Sequence, residues 1–365
     1  LSDRAIIIGG GFYGCALALH LKKRFAHVTI IESGSGILQR ASYVNQGRVH
    51  GGYHYPRHKL TAERCRENYA RFVHDYADCV NVGQEAYYAI AAEGSKTSAS
   101  QFWDFCHDIG APLYPVRPEV RKAFTNVEDV FRVDEASFDA DKLRKRLAED
   151  VRRAGVELSL NCRVENLSEV HGEVELLINT SLRRADHVFS CVYSDTNKLL
   201  ARCSLPAVPL MHEWTEMPIV QPFHPLDRCA ITVMDGPFCA VSKCGHDTCL
   251  HDVELTPRSR AEHLGGLRYT NVSKADAMIE RANRFFNLDR DKRVGKASLW
   301  ETKTVLQAHE QDDGRPILVQ RNALPGFHVI VGAKLDNIYD AKDEVDAILD
   351  NRPTVGQKLR NVVSV

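Results

Sequence analysis

The chain has 365 residues, 44% of them hydrophobic and 26% charged, which is enough to bury a large core as two domains or as one large α/β unit. A formal net charge of −1 provides no global field for nucleic acid or an anionic membrane, and no apolar run reaches the roughly 18 residues an integral membrane helix needs. No signal peptide precedes the first apolar stretch, which predicts a cytoplasmic protein.

Ala5-Ile6-Ile7-Ile8 is a short apolar strand that runs into Gly9-Gly10-Gly11-Phe12-Tyr13-Gly14 and then an alanine- and leucine-rich helix from near Cys15. A strand, a GxGxxG turn and a helix start in that order build a site for a dinucleotide pyrophosphate. Gly9 permits the tight turn, Gly11 lets the backbone approach the phosphates, and Gly14 lets the helix lie close to the strand. The second strand, Val28-Thr29-Ile30-Ile31, ends in Glu32. A carboxylate about 20 residues beyond the glycines accepts hydrogen bonds from both hydroxyls of an adenosine ribose and repels a 2′-phosphate. These residues select FAD or NAD, not NADP.

A polar, histidine- and aromatic-bearing stretch over 33–55 has little periodicity, and its length marks it as functional. Apolar spacing then predicts a helix over 58–80, a strand over 86–91, a helix over 97–109 and a proline-bearing connection over 112–118. A charged amphipathic helix over 139–154 stops at Gly155, and strands follow over 156–160, 164–170, 174–178 and 185–192. Between 208 and 255 short alternating strands turn at Asp235-Gly236 and around Gly245, the pattern of an antiparallel sheet. A helix over 273–286, strands over 296–306 and 326–332, and a helix over 335–349 complete the reading.

Eleven cysteines with irregular spacing and no CxxC pair predict buried reduced thiols. Cys239, Cys244, His246, Cys249 and His251 could supply metal ligands, but four-residue gaps and strand-like alternation fit a hairpin better, so no metal is expected. The fold class is α/β (α+β overall): a Rossmann-like dinucleotide domain over 1–80, 137–203 and 297–365, with an inserted antiparallel β-rich substrate domain over 81–136 and 204–296. No GxSxG elbow, HExxH or Walker loop supports a hydrolase or a kinase.

The loop Ser42-Tyr43-Val44-Asn45-Gln46-Gly47-Arg48-Val49-His50-Gly51-Gly52-Tyr53-His54-Tyr55-Pro56-Arg57 adds a second signal. Together with the nucleotide turn, Glu32 and the C-terminal strand and helix, it resembles the FAD-dependent D-amino acid oxidase superfamily. The spacing Asn45-x-Gly47-x-Val49-His50-x-Gly52-x-x-Tyr55 looks like the loop of L-2-hydroxyglutarate oxidases, and more loosely like the His-Gly-Gly loop of glycerol-3-phosphate dehydrogenases. The resemblance implies noncovalent FAD, held by Gly9, Gly11, Phe12, Tyr13, Gly14, Glu32, Ser33, Arg40, Ser42, Asn45, Gln46, Gly47, Arg48 and Val164. It also implies that Gly332, Lys334, Leu335, Asp336 and Asn337 form the helix start facing the flavin's N1–C2=O edge, where Lys334 would support the reduced ring. Lys334 could instead be a solvated charge paired with Asp336 or Asp340.

By the same resemblance His50 would sit near flavin N5 and the substrate. A neutral imidazole can take the proton that leaves as hydride departs, although a structural hydrogen bond to the loop is the other reading of His50. His54 and Tyr55 are further catalytic candidates, and Tyr53 and Arg57 substrate contacts. Lys303 lies near the place where amino acid and glycine oxidases carry a carboxylate-clamping arginine, and a lysine gives a point charge, not a fork. Arg315 is a last substrate candidate, better suited to the Asp313-Gly314 turn. The implied activity is hydride transfer from the C–N bond of a small polar amine or amino acid to flavin, with O2 or another acceptor downstream. Oxidation of a 2-hydroxy acid and noncatalytic FAD binding are the alternatives.

Overall fold

The computed structural model describes residues 3–81, 84–245, 247–291, 298–307, 317–332 and 334–352. The chain forms two compact units, one of Leu1–Ser42, Arg144–Leu210 and Arg315–Val365, the other of Tyr43–Leu143 and Met211–Gly314. Among the described residues no helix is long and apolar enough to cross a membrane.

The first unit is built on a six-stranded sheet ordered Leu318–Arg321, Phe327–Val331, His187–Ser190, Arg4–Ile8, His27–Ile31, Glu157–Ser159. All neighbours run parallel except the edge pair of Leu318–Arg321 with Phe327–Val331. Arg4–Ile8 and His27–Ile31 each bury every residue after the first, as strands covered on both faces must. Helix Phe12–Leu21 packs on this sheet and helix Ile338–Leu349 packs on that helix. A three-stranded antiparallel meander, Val164–Val170, Glu173–Ile178 and Ser181–Ala185, completes the unit. The strand expected over 185–192 is thus two elements, separated at Asp186, whose carboxylate accepts the N–H groups of Asp3 and Arg4 at 2.9 Å each.

The second unit carries a six-stranded sheet ordered Asp247–Asp252, Cys239–Cys244, Ala230–Met234, Ala86–Ala91, Val127–Val133, Leu113–Tyr114. Its pairings are antiparallel apart from Ala230–Met234 against Ala86–Ala91, a parallel pair inside the otherwise antiparallel sheet that was expected. Cys239–Cys244 and Asp247–Asp252 form the anticipated hairpin, with Ser242 opposite Cys249. Cys239 joins one apolar cluster, with Val241 and Leu250, while Cys244 and Cys249 join another, with Met217 and Ile219. His246 lies outside the described residues.

The compact units and the sequence boundaries differ over 43–80, 137–143 and 298–307, which cluster with the second unit, and over 204–210, which clusters with the first. The cause is packing. Helix Lys59–Asp75 sends Ala62 and Cys65 into the same apolar cluster as Tyr88 and Phe102, and strand Ser298–Leu306 lies beside Leu210–Pro218 in a sheet with Pro257–Ala261.

Candidate active site

In the first unit, the glycine turn follows directly on strand Arg4–Ile8. Gly9 has φ +105°, and a Cβ there would stand 2.7 Å from the Cys191 carbonyl oxygen. A Cβ on Gly14 would come within 1.9 Å of the Gly9 carbonyl oxygen, so only glycine lets the helix start this close to the strand. The Phe12 N–H donates to Ser42 Oγ at 2.9 Å. Gly10 N–H donates to Glu32 Oε2 and Gly34 N–H to Glu32 Oε1, both at 2.6 Å, while the neighbouring Ser33 hydroxyl is 3.4 Å from Oε1. This holds the carboxylate against the turn. A glycine cradle, a helix N-terminus and a fixed carboxylate at the end of the second strand fit FAD: the pyrophosphate suits the helix start, and Glu32 suits the adenosine ribose. Val164 opens its strand as a buried residue and Arg40 is exposed.

The C-terminal segment meets the same helix. A Cβ on Gly332 would fall 2.2 Å from the Tyr13 hydroxyl oxygen, so glycine there makes room for the ring, and that hydroxyl donates to the Lys334 carbonyl at 2.5 Å. Burial, followed by the charges of Asp336 and Asp340, pushes the Tyr13 phenol well above its ordinary range. Lys334, Asp336 and Asn337 are all buried and Leu335 is half-buried, so a solvated lysine at the helix start is not what forms. The helix itself begins at Ile338, with Asn337 as its N-cap residue, rather than at 335.

Arg48 and His50 belong to the second unit. Arg48 is buried, with Nη2 2.5 Å from Glu135 Oε2 and 2.8 Å from the Tyr88 hydroxyl. The Tyr88 hydroxyl donates to Glu135 Oε1 at 2.9 Å, and Nδ1 of the half-buried His50 is 3.2 Å from the same oxygen. Burial alone would raise the Glu135 carboxyl, but Arg48 and then His50 overcome it and hold the group well below the usual carboxylate range. Arg48, read from the resemblance as an FAD contact, is therefore engaged in an internal ion pair. Nearby in the loop, Gly47 has φ +60° and its N–H donates to Asn45 Oδ1 at 2.7 Å, while Gln46 is half-buried.

The remaining candidates separate into those that gather around His50 and those that do not. The exposed His54 ring lies 5.5 Å from that of His50, and the ring of buried Tyr55 lies 6.2 Å from it. Tyr53 is fully buried. Its hydroxyl donates to the Pro112 carbonyl at 2.8 Å and accepts from Asp134 N–H at 3.2 Å, which makes it a packing residue rather than a substrate contact. Arg57 is paired with Asp235, Nε to Oδ2 at 2.7 Å. Lys303 is about half exposed, with Nζ 3.3 Å from Oε2 of buried Glu213, a carboxylate shared with Arg260 at 2.9 Å. Arg315 lies outside the described residues.

A family model described as FAD dependent oxidoreductase, DAO, matches residues 4–334. The chain belongs to the DAO family of FAD-dependent oxidoreductases. It is 32% identical over 215 residues to the FAD-dependent monooxygenase kojA of Aspergillus flavus, covering 57% of this chain and 49% of that one. The chain thus spans about half the length of the curated relatives it matches. Glycine oxidase from Geobacillus kaustophilus has the same fold, with a TM-score of 0.72 at 17% identity over 97% of this chain and 96% of that one. So does L-α-glycerophosphate oxidase from Mycoplasma pneumoniae with FAD bound, with a TM-score of 0.73 at 14% identity over 96% and 94%.

In this DAO-family enzyme two residues of chemical interest had no signal in the sequence beyond their type. Glu135 follows a strand that alternation did not reveal. His251, considered only as a metal ligand, lies in strand Asp247–Asp252 opposite Ala240. Burial, then the charges of Lys303 and Arg48, push its imidazole down to about 3, so it is neutral at pH 7.

Proposed function

We propose that this enzyme takes hydride from the C–N bond of a small amine or amino acid whose anionic group is held by Lys303. When bound, FAD supplies the hydride acceptor at N5. The observation that carries the proposal is a half-exposed lysine, Lys303, in the same unit as His251, whose imidazole burial and then the charges of Lys303 and Arg48 hold neutral. A carboxylate gains from such surroundings, and a substrate amine meets an uncharged neighbour beside it. His50 is the proposed proton acceptor, oriented by a Glu135 that Arg48 keeps ionised. The fold shared with glycine oxidase supports C–N oxidation, and the fold shared with L-α-glycerophosphate oxidase keeps C–O oxidation as a competitor. Ten of the eleven cysteines are buried, which fits the cytoplasmic setting proposed for it.

The match to kojA favours a second function, oxygenation of the substrate. Anaerobic mixing separates the possibilities. Bleaching of the flavin by an amine or amino acid alone is the expected result, with peroxide formed when O2 is readmitted. Bleaching by hydroxy acids only would move the activity to C–O bonds. A product carrying 18O from O2 would establish the oxygenase, and FAD that no candidate reduces would leave a noncatalytic binding protein. Lys303→Met should raise KM for carboxylate substrates about 10- to 100-fold, with a smaller effect on kcat.

A further inference from the structure

The network behind His50 lies within the second unit, and the chemistry of its members assigns its protons one by one. Arg48 can only donate, so the Tyr88 hydroxyl, 2.8 Å from Arg48 Nη2, is the acceptor there. The one phenolic proton is then directed at Glu135 Oε1, 2.9 Å away. Gly51 N–H donates to the same oxygen at 3.3 Å, and a Cβ on Gly51 would stand 2.6 Å from the Asp134 carbonyl oxygen, so glycine lets the loop come this close. Glu135, ionised beside Arg48, has no proton to give. The proton between it and His50, whose Nδ1 is 3.2 Å from Oε1, therefore sits on Nδ1. Tyr88 is held firmly: its ring stacks on that of Phe102 at 5.9 Å and 11° and lies 5.7 Å from that of Tyr53, both fully buried. The Arg48 and Glu135 side chains are 4% and 3% exposed against 14% for His50, so the network is closed toward Tyr88 and opens at the imidazole.

We propose that Tyr88 is a positioning residue for His50: it aims Glu135 at Nδ1, which fixes the Nδ1–H tautomer and makes Nε2 the nitrogen that takes the substrate's proton. This role rests on the reading of His50 as the proton acceptor and adds the nitrogen that acts and the residue that selects it. When the substrate's N–H bond gives its proton to Nε2, Nδ1 keeps its own, and the imidazolium so formed has the Glu135 carboxylate as its counter-charge. Arg48, Glu135 and Tyr88 stand behind the ring, and the His54 and Tyr55 rings lie beside it at 5.5 and 6.2 Å.

The test is NMR of the purified protein carrying 15N-labelled histidine, with no substrate, in which ring nitrogen shifts distinguish the two tautomers. The His50 signals are those missing from His50→Gln. Wild type should show the Nδ1–H form when His50 is neutral. Followed on the same signals, the titration of His50 should move down by about 1 pH unit or more in Glu135→Gln, which loses the counter-charge. In Tyr88→Phe it should move up, by at most about half a pH unit, because the carboxylate has one donor fewer and more of its charge is left for the imidazole. Tyr88→Phe removes only a hydroxyl, so it keeps the comparison available if Glu135→Gln, which strands Arg48, does not fold. In turnover Tyr88→Phe should lower kcat about 10-fold with KM little changed. A neutral His50 in the Nε2–H form would overturn the proposal, as would a His50 titration that Tyr88→Phe leaves in place. The reading of His50 as proton acceptor fails separately, if His50→Gln turns over as fast as wild type while the tautomer is still Nδ1–H.

Discussion

At Gly14 a single added methyl group would overlap the Gly9 carbonyl oxygen, whereas at Gly11 it would meet only the Ser42 hydroxyl, at 3.1 Å. The two positions therefore separate folding from cofactor binding. Gly14→Ala must push helix Phe12–Leu21 off its strand, and we expect a loss of about 1–3 kcal/mol in the apoprotein together with loss of FAD on purification. Gly11→Ala should leave apoprotein melting nearly unchanged and still lower the flavin-to-protein absorbance ratio, because the methyl group occupies the turn face that a pyrophosphate approaches. Equal melting of the two variants would contradict this. These glycines were legible in the sequence because their neighbours are local: strand, turn and helix are contiguous. Glu135 was not, since its partner Arg48 lies 87 residues away in the chain. Only the folded sheet brings the two together, and a buried arginine calls for an acid without saying which one.

Among the elements, those with an unbroken local pattern were read to within a residue or two. Ala86–Ala91 is one, and helix Ala99–Asp108 is another, started by a capping box in which Ser98 Oγ accepts from Gln101 N–H at 3.2 Å and Gln101 Oε1 accepts from Ser98 N–H at 2.9 Å. Ser98→Ala should cost about 1 kcal/mol in urea unfolding and leave FAD content as it was. Loss of flavin in that variant would mean the helix carries more than packing. Strand Val127–Val133 escaped notice for a physical reason. Its apolar residues, Val127, Val130, Phe131 and Val133, are not in strict alternation, and a bulge opposite Ile90 and Ala91 absorbs the irregularity. Periodicity fails wherever a bulge resets the register, and here it hid the strand that leads to Glu135.

Across the whole molecule, the buried imidazoles make stability depend on pH. His328 is 4% exposed, with Nε2 3.1 Å from His187 Nδ1 and its ring stacked on Phe189 at 4.9 Å. Burial, then His187 and Arg321, push it down to about 3, and His251 falls to about 3 in the other unit. An unfolded histidine titrates near 6.5. Below that pH the unfolded chain binds protons that the folded protein refuses, so stability is complete above about 6.5 and drains as pH falls toward 3. Each such imidazole contributes a slope of up to about 1.4 kcal/mol per pH unit, or about 2 kcal/mol between pH 7 and pH 5. The depressed carboxyl of Glu135 acts in the same direction but lower down, from the ordinary carboxylate range, where the unfolded carboxyl begins to protonate, downward. Urea midpoints measured at pH 7, 6 and 5 should therefore fall steadily in wild type. His328→Leu, which removes one of the three imidazoles pushed down among the described residues, His187 being the third, should show a smaller loss over the same window, whatever it costs at pH 7. Parallel pH dependences in the two proteins would mean that His328 protonates without unfolding its unit.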